Sequence, residues 1–102
     1  MIGRVLAVKA IMVALCFPAY AAGECKETFV GRSRSDAAAS DAERQRIALD
    51  DAIAHWRQQV RLAYGFDYWY WQAAQAKRIH CTGVPGLRKC TVRARPCKLR
   101  GA

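Results

Sequence analysis

Lys77-Arg78-Ile79-His80-Cys81-Thr82-Gly83-Val84-Pro85-Gly86-Leu87-Arg88-Lys89-Cys90-Thr91-Val92-Arg93-Ala94 is the stretch whose pairing decides the fold. Residues 82–88 hold two glycines and a proline and read as a loop, which leaves 73–81 and 89–97 as two strands. Gln72–Lys77 alone could equally extend a helix, so the register has to decide. With Cys81 opposite Cys90 in an antiparallel pair, Ile79 falls opposite Val92 and Lys77 opposite Ala94. One face then carries Ile79, Cys81, Cys90, Val92 and Ala94, and the other Arg78, His80, Thr91, Arg93 and Arg95. A single register separates apolar from charged side chains, as a half-buried sheet requires. It also places Arg78 across from Arg93, a like-charge pair that destabilises a sheet unless an anionic or acidic group lies between.

Upstream, residues 36–64 predict a long helix. Leu49, Ile53, Trp56, Val60 and Ala63 recur four, three, four and three apart, which puts them on one face. Two starts are open, Ser35 as N-cap or the capping box Ser40-Asp41-Ala42-Glu43. Gly65 is the expected stop, because glycine takes the left-handed conformation that closes a helix. Asp41, Glu43, Asp50 and Asp51 balance Arg44, Arg46, Arg57 and Arg61, so the segment is a solvated amphipathic helix and a poor nucleic-acid reader. Before it, Glu24–Arg32 contains Thr28, Phe29 and Val30, a short strand expected to end at Gly31.

At the N-terminus, Arg4 and Lys9 accompany an apolar run from Val5 to Phe17, followed by Pro18 and Ala19-Tyr20-Ala21. This is the pattern of a secretory signal peptide, with cleavage expected after Ala21. The run is shorter than the roughly 20 residues a membrane span needs. Neither Cys16 nor Cys25 follows the small residue that a lipid-anchored cysteine requires. Residues 22–102 then form a single small domain. It keeps Cys25, Cys81, Cys90 and Cys97 and carries fifteen basic against eight acidic side chains, a charge of +7 once Arg4 and Lys9 are removed. An exported chain with an even cysteine count oxidises them, whether in the periplasm or outside the cell. The competing reading is a zinc site, but eight residues separate Cys81 from Cys90 and six separate Cys90 from Cys97, with no C-x-x-C pair.

The elements in order, strand, helix, strand, strand, predict an α+β fold in which one long amphipathic helix packs on a small antiparallel sheet, stabilised by disulfides. Of the three possible pairings, Cys81 with Cys90 and Cys25 with Cys97 fits this order best, the second tying the first strand to the last. The helix ending Trp56-x3-Val60-x3-Tyr64-Gly65, followed by the strand Cys90-Thr-Val-Arg-Ala-Arg-Pro-Cys97, resembles a group of small exported, disulfide-containing proteins of Gram-negative bacteria with no established function. The resemblance implies export and this architecture, and no mechanism.

Two surfaces stand out. Tyr64-Gly65-Phe66-Asp67-Tyr68-Trp69-Tyr70-Trp71 holds six of the eight aromatics downstream of residue 21. In a small domain these rings can be core. If the stretch is a strand, however, consecutive Tyr68, Trp69, Tyr70 and Trp71 point two each way, leaving a partly exposed aromatic ledge able to stack on rings or anchor a protein partner. The second surface is the tail. It holds Lys77, Arg78, Arg88, Lys89, Arg93, Arg95, Lys98 and Arg100, with no acidic residue from 72 to 102. Such clustering attracts lipopolysaccharide, anionic lipid or nucleic acid, although a cationic surface also serves solubility alone. Arg78, His80, Arg93, Arg95 and Lys98 are the candidate anion-binding residues.

No catalytic or cofactor motif is present. His55, His80 and a lysine are the residue types of a small basic nuclease, but nothing in the spacing brings them together. The sequence therefore favours a non-enzymatic exported module that docks an anionic partner, ahead of a protein-interaction or inhibitor module centred on the ledge. A nuclease ranks last.

Overall fold

The computed structural model describes residues 24–37 and 39–99. The expected signal peptide, 1–21, and Arg100 lie outside the described residues. Within them run strand β1 (Phe29–Ser35), helix α1 (Asp41–Tyr64), a 3-10 turn (Trp71–Ala73) and strands β2 (Gln75–Val84) and β3 (Leu87–Arg95). The three strands form one antiparallel sheet in the order β1-β3-β2, with α1 across one face. Two disulfides, Cys25–Cys97 and Cys81–Cys90, join the expected partners. Bonded thiols cannot serve as zinc ligands, which removes the metal reading of these cysteines.

The hairpin register has Cys81 opposite Cys90 and Ile79 opposite Val92. Its far end differs from expectation. Between the pairs Gln75–Arg95 and Arg78–Arg93, both Ala76 and Lys77 stand against Ala94, so Lys77 has no simple partner. Ala76 sits at φ 54 at this bulge. The connection is also tighter than the expected seven-residue loop. Val84 pairs with Leu87, so only Pro85 and Gly86 turn the chain, Gly86 at φ 89. Proline followed by a left-handed glycine is the pattern of a type II turn.

The strand β1 does not stop at Gly31 but runs through Ser35, pairing with β3 from Phe29–Ala94 to Ser35–Arg88. Gly31 is instead where α1 lies closest to the sheet. A Cβ built there would collide with the Ala52 carbonyl oxygen and lie 2.6 Å from the Trp56 amide nitrogen. The same close approach explains the helix face. The fully buried stripe is Ala48, Ala52, Trp56 and Val60, four apart throughout, while Leu49 and Ile53 flank it half-buried and Ala63 is exposed. Small side chains occupy the crossing because larger ones would hold the two backbones apart. Trp56 fills the space beyond, and its indole N–H donates to the Ala94 carbonyl at 3.2 Å. Val92, Ala94 and Cys90 complete the core from β3.

Of the two possible helix starts, the one at Ser40 is used. The Ser40 hydroxyl accepts the Glu43 amide at 3.2 Å. Gly65, at φ 83, closes the helix and donates its amide to the Arg61 carbonyl. The Asp41 carboxylate, in the first turn, accepts the Gly86 amide at 2.9 Å and the Arg44 guanidinium at 2.7 Å, fastening the hairpin tip to the start of α1. The Gly86 amide, with Arg44 behind it, holds the Asp41 carboxyl below its usual range. Glu24 beside Lys26, and Glu27 under the Tyr64 hydroxyl at 2.8 Å, are lowered as well.

For a carboxylate whose folded pKa is depressed, the stabilisation is complete above the unfolded value, near 4, and disappears as pH falls through the folded one. The melting temperature is therefore expected to drop as the pH is lowered from about 4 towards 2. Asp41→Asn should be less stable than the parent at neutral pH, and the gap should narrow on acidification. A gap that stays constant with pH would remove Asp41 from the acid response.

Candidate anion-binding face

The helix covers one face of the sheet, and the other is open. Strand alternation sends Gly31, Ser33, Cys90, Val92 and Cys81 towards α1 and the intervening residues outwards. Reading across β1, β3 and β2, the open face consists of successive rows. The first is Val30, Arg93 and Arg78; the second is Arg32, Thr91 and His80; the third is Arg34, Lys89 and Thr82. Beyond the third row, Leu87 and Val84 close the face at the hairpin tip, Val84 being 61% exposed.

Five of the nine positions in the first three rows are permanent cations, and all five are exposed. The ion pairs of the described residues, Lys26–Glu24, Arg44–Asp41 and Arg46 with Glu43 and Asp50, involve none of them. Two open depressions flank Thr91. One, of about 490 Å³, is lined by Arg78, Ile79, His80, Thr91 and Arg93; the other, of about 290 Å³, by Arg32, Ser33, Arg34, Lys89, Cys90 and Thr91. Guanidinium groups at the edges of such depressions present paired N–H donors to oxyanions, and Thr91 adds a hydroxyl at the shared rim.

Of the residues expected to bind anions, Arg78, His80 and Arg93 share this face. Arg95 lies one row beyond, opposite Gln75, with its Nε donating to the Lys26 carbonyl at 2.9 Å. Lys98 follows the last strand, beside the Cys25–Cys97 bridge, where its amide donates to the Glu24 carbonyl. Arg32 and Arg34 had no place in the expected site, because ending the first strand at Gly31 removed them from the sheet. Their signal is in the sequence nonetheless: Val30-Gly31-Arg32-Ser33-Arg34-Ser35 alternates large with small residues at the strand period of two. Arg88 takes the opposite side, half-buried in the row with Ser35 and Gly83.

The aromatic stretch does not join this face. It is no strand but a turn followed by the 3-10 turn, so its rings are not divided two and two. Tyr68 is buried, while Trp69, Tyr70 and Trp71 are half-buried and Phe66 is 56% exposed. The rings fold back over the end of α1. Trp71 meets Trp56 edge-on at 5.1 Å, and the Arg57 guanidinium lies 4.2 Å from the centre of Trp69. Arg61 covers Phe66, Lys77 covers Trp71, and Lys26 lies 5.2 Å from both Tyr64 and Tyr68. Several of these ring faces thus already carry a cation of the same chain.

The two histidines stand at opposite edges of the sheet. On α1, the Nδ1 atom of His55 accepts the Arg32 backbone amide at 3.0 Å, and its Nε2 meets the Gln59 side chain at 2.9 Å. This ring satisfies an edge amide of β1. His80 belongs to β2, at the far edge, on the open face. No helix among the described residues is long and apolar enough to cross a membrane. Compared with known proteins, the chain matches no family model, no curated protein and no solved structure.

Proposed function

We propose that this chain is an exported, non-enzymatic binding module whose open sheet face docks a phosphate-bearing anionic partner. The observation that carries the reading is the array itself: Arg32, Arg34, Arg78, Lys89 and Arg93 share one exposed face in which Arg78 opposes Arg93 and Arg34 opposes Lys89 with no carboxylate between. Directly opposed like charges destabilise a sheet, and a bound anion reverses the sign of that interaction. Export accords with the apolar run at residues 5–17 and with the two disulfides, which form and persist in oxidising compartments.

The oxidised protein is expected to sediment with phosphatidylcholine vesicles containing phosphatidylglycerol, and to be released between low and high salt. Each basic residue at an anionic surface contributes about 1 kcal/mol, so Arg32→Gln with Arg93→Gln should weaken binding about 30-fold. Retention that ignores salt, or that survives the double substitution, counts against this face as the docking surface.

A further inference from the structure

We infer that the open face is a two-point clamp for a lipid-anchored saccharide carrying two phosphate groups, an assignment that rests on the docking role proposed above. The cations are not spread evenly over the face. Two rows contain a directly opposed pair, Arg93 with Arg78 and Lys89 with Arg34, and the row between them holds Thr91 at its centre, flanked by Arg32 and His80.

Arg93 and Lys89 are four residues apart on β3. At about 3.4 Å per residue, the two like-charge pairs are set roughly 14 Å from one another. A single phosphate does not span that distance, whereas a molecule with two anionic groups can meet both pairs at once. Between them the face offers the Thr91 hydroxyl and the His80 ring, which exchange hydrogen bonds with hydroxyls, and on the far side of Thr91 the Arg32 guanidinium, a donor to hydroxyl as well as to phosphate oxygens. The two depressions meet at Thr91 and each contains one of the cation pairs. A ligand that matches this order has a phosphate, a hydroxyl-rich middle and a second phosphate.

Two further features select the lipid-anchored form over a nucleic acid. Single-stranded nucleic acids bind through bases stacked on aromatic platforms, and the rows of this face contain no aromatic carbocycle; Trp69, Tyr70 and Trp71 belong to the helix end. Past the Arg34–Lys89 row, the face ends in Val84 and Leu87, with exposed Pro85 between them in the chain. An apolar tip adjoining a cationic patch suits the boundary between headgroups and acyl chains.

The test compares vesicles of equal surface charge, doped with a diphosphorylated diglucosamine lipid, its monophosphorylated analogue or phosphatidylglycerol, with an RNA homopolymer as competitor. Two-site engagement predicts at least tenfold tighter binding to the diphosphorylated lipid than to either other surface. Arg78→Gln with Arg93→Gln, and separately Arg34→Gln with Lys89→Gln, should each abolish that preference while leaving the melting temperature within a few degrees of the parent. Equal affinity for the three lipids would overturn the clamp and leave the docking role intact, as would displacement by RNA at lower concentration than by the lipid. Absence of binding to every anionic surface would overturn both.

Discussion

Alanine at Gly31 is expected to lower the melting temperature by about 12 to 24 °C. A single added methyl group has this effect because of what surrounds it. Both nearest atoms, the Ala52 carbonyl oxygen and the Trp56 amide nitrogen at 2.6 Å, belong to the backbone of α1, and neither can rotate out of the way. The helix would have to lift off β1, loosening Ala48, Ala52, Trp56 and Val60, which are completely buried. Overpacking typically costs about 1 to 3 kcal/mol, and a site with no flexible neighbour belongs at the upper end. In a domain this small each kcal/mol moves the midpoint by about 4 to 8 °C. Thermal denaturation followed by circular dichroism reads the shift, and a loss below about 5 °C would show that helix and sheet can separate easily.

The second large effect concerns the Cys25–Cys97 bridge. It closes the chain over a separation of 72 residues, against 9 for Cys81–Cys90. Loop-closure entropy gives about 4 kcal/mol for the long bridge and between about 2 and 3 for the short one. A domain of this size has a total stability of about 5 to 10 kcal/mol. Replacing Cys25 and Cys97 together by alanine should therefore remove roughly half of it and lower the urea midpoint accordingly. The Cys81/Cys90 pair, replaced in the same way, should cost distinctly less. The reverse ranking would mean that strand register, rather than chain closure, dominates the contribution of the disulfides.

What the sequence revealed and concealed follows from the range of the interactions involved. The hairpin register was legible because Ile79, Cys81, Cys90 and Val92 carry a local, alternating signal that only one pairing satisfies. Both disulfides followed from that pairing and the order of elements. Gly31 misled, because a glycine that ends a strand and a glycine that admits a helix backbone look identical until the helix is in place. With β1 cut short, Arg32 and Arg34 were lost from the site that they share with Arg93 and Arg78. The bulge at Ala76 and Lys77 likewise leaves no mark in hydrophobic periodicity. For the aromatics, the assumption of a strand was the weak step. Tyr68 is buried and Trp69 lies under Arg57 because the chain turns back onto α1, a tertiary event that composition does not encode.

The helix packs on β1 and β3 but leaves β2 uncovered, and Ile79, on the side of the sheet that faces α1, is consequently 52% exposed. β2 is joined to the sheet by its ladder with β3 and by the covalent bond at Cys81. Strands with few buried contacts open at free energies well below that of global unfolding, so β2 is the element whose amides exchange first with solvent. The bond at Cys81 changes how that opening proceeds. Instead of detaching as a unit, β2 frays separately on either side of a fixed point, and Arg78, only three residues from it, returns to the same position opposite Arg93 each time the strand closes.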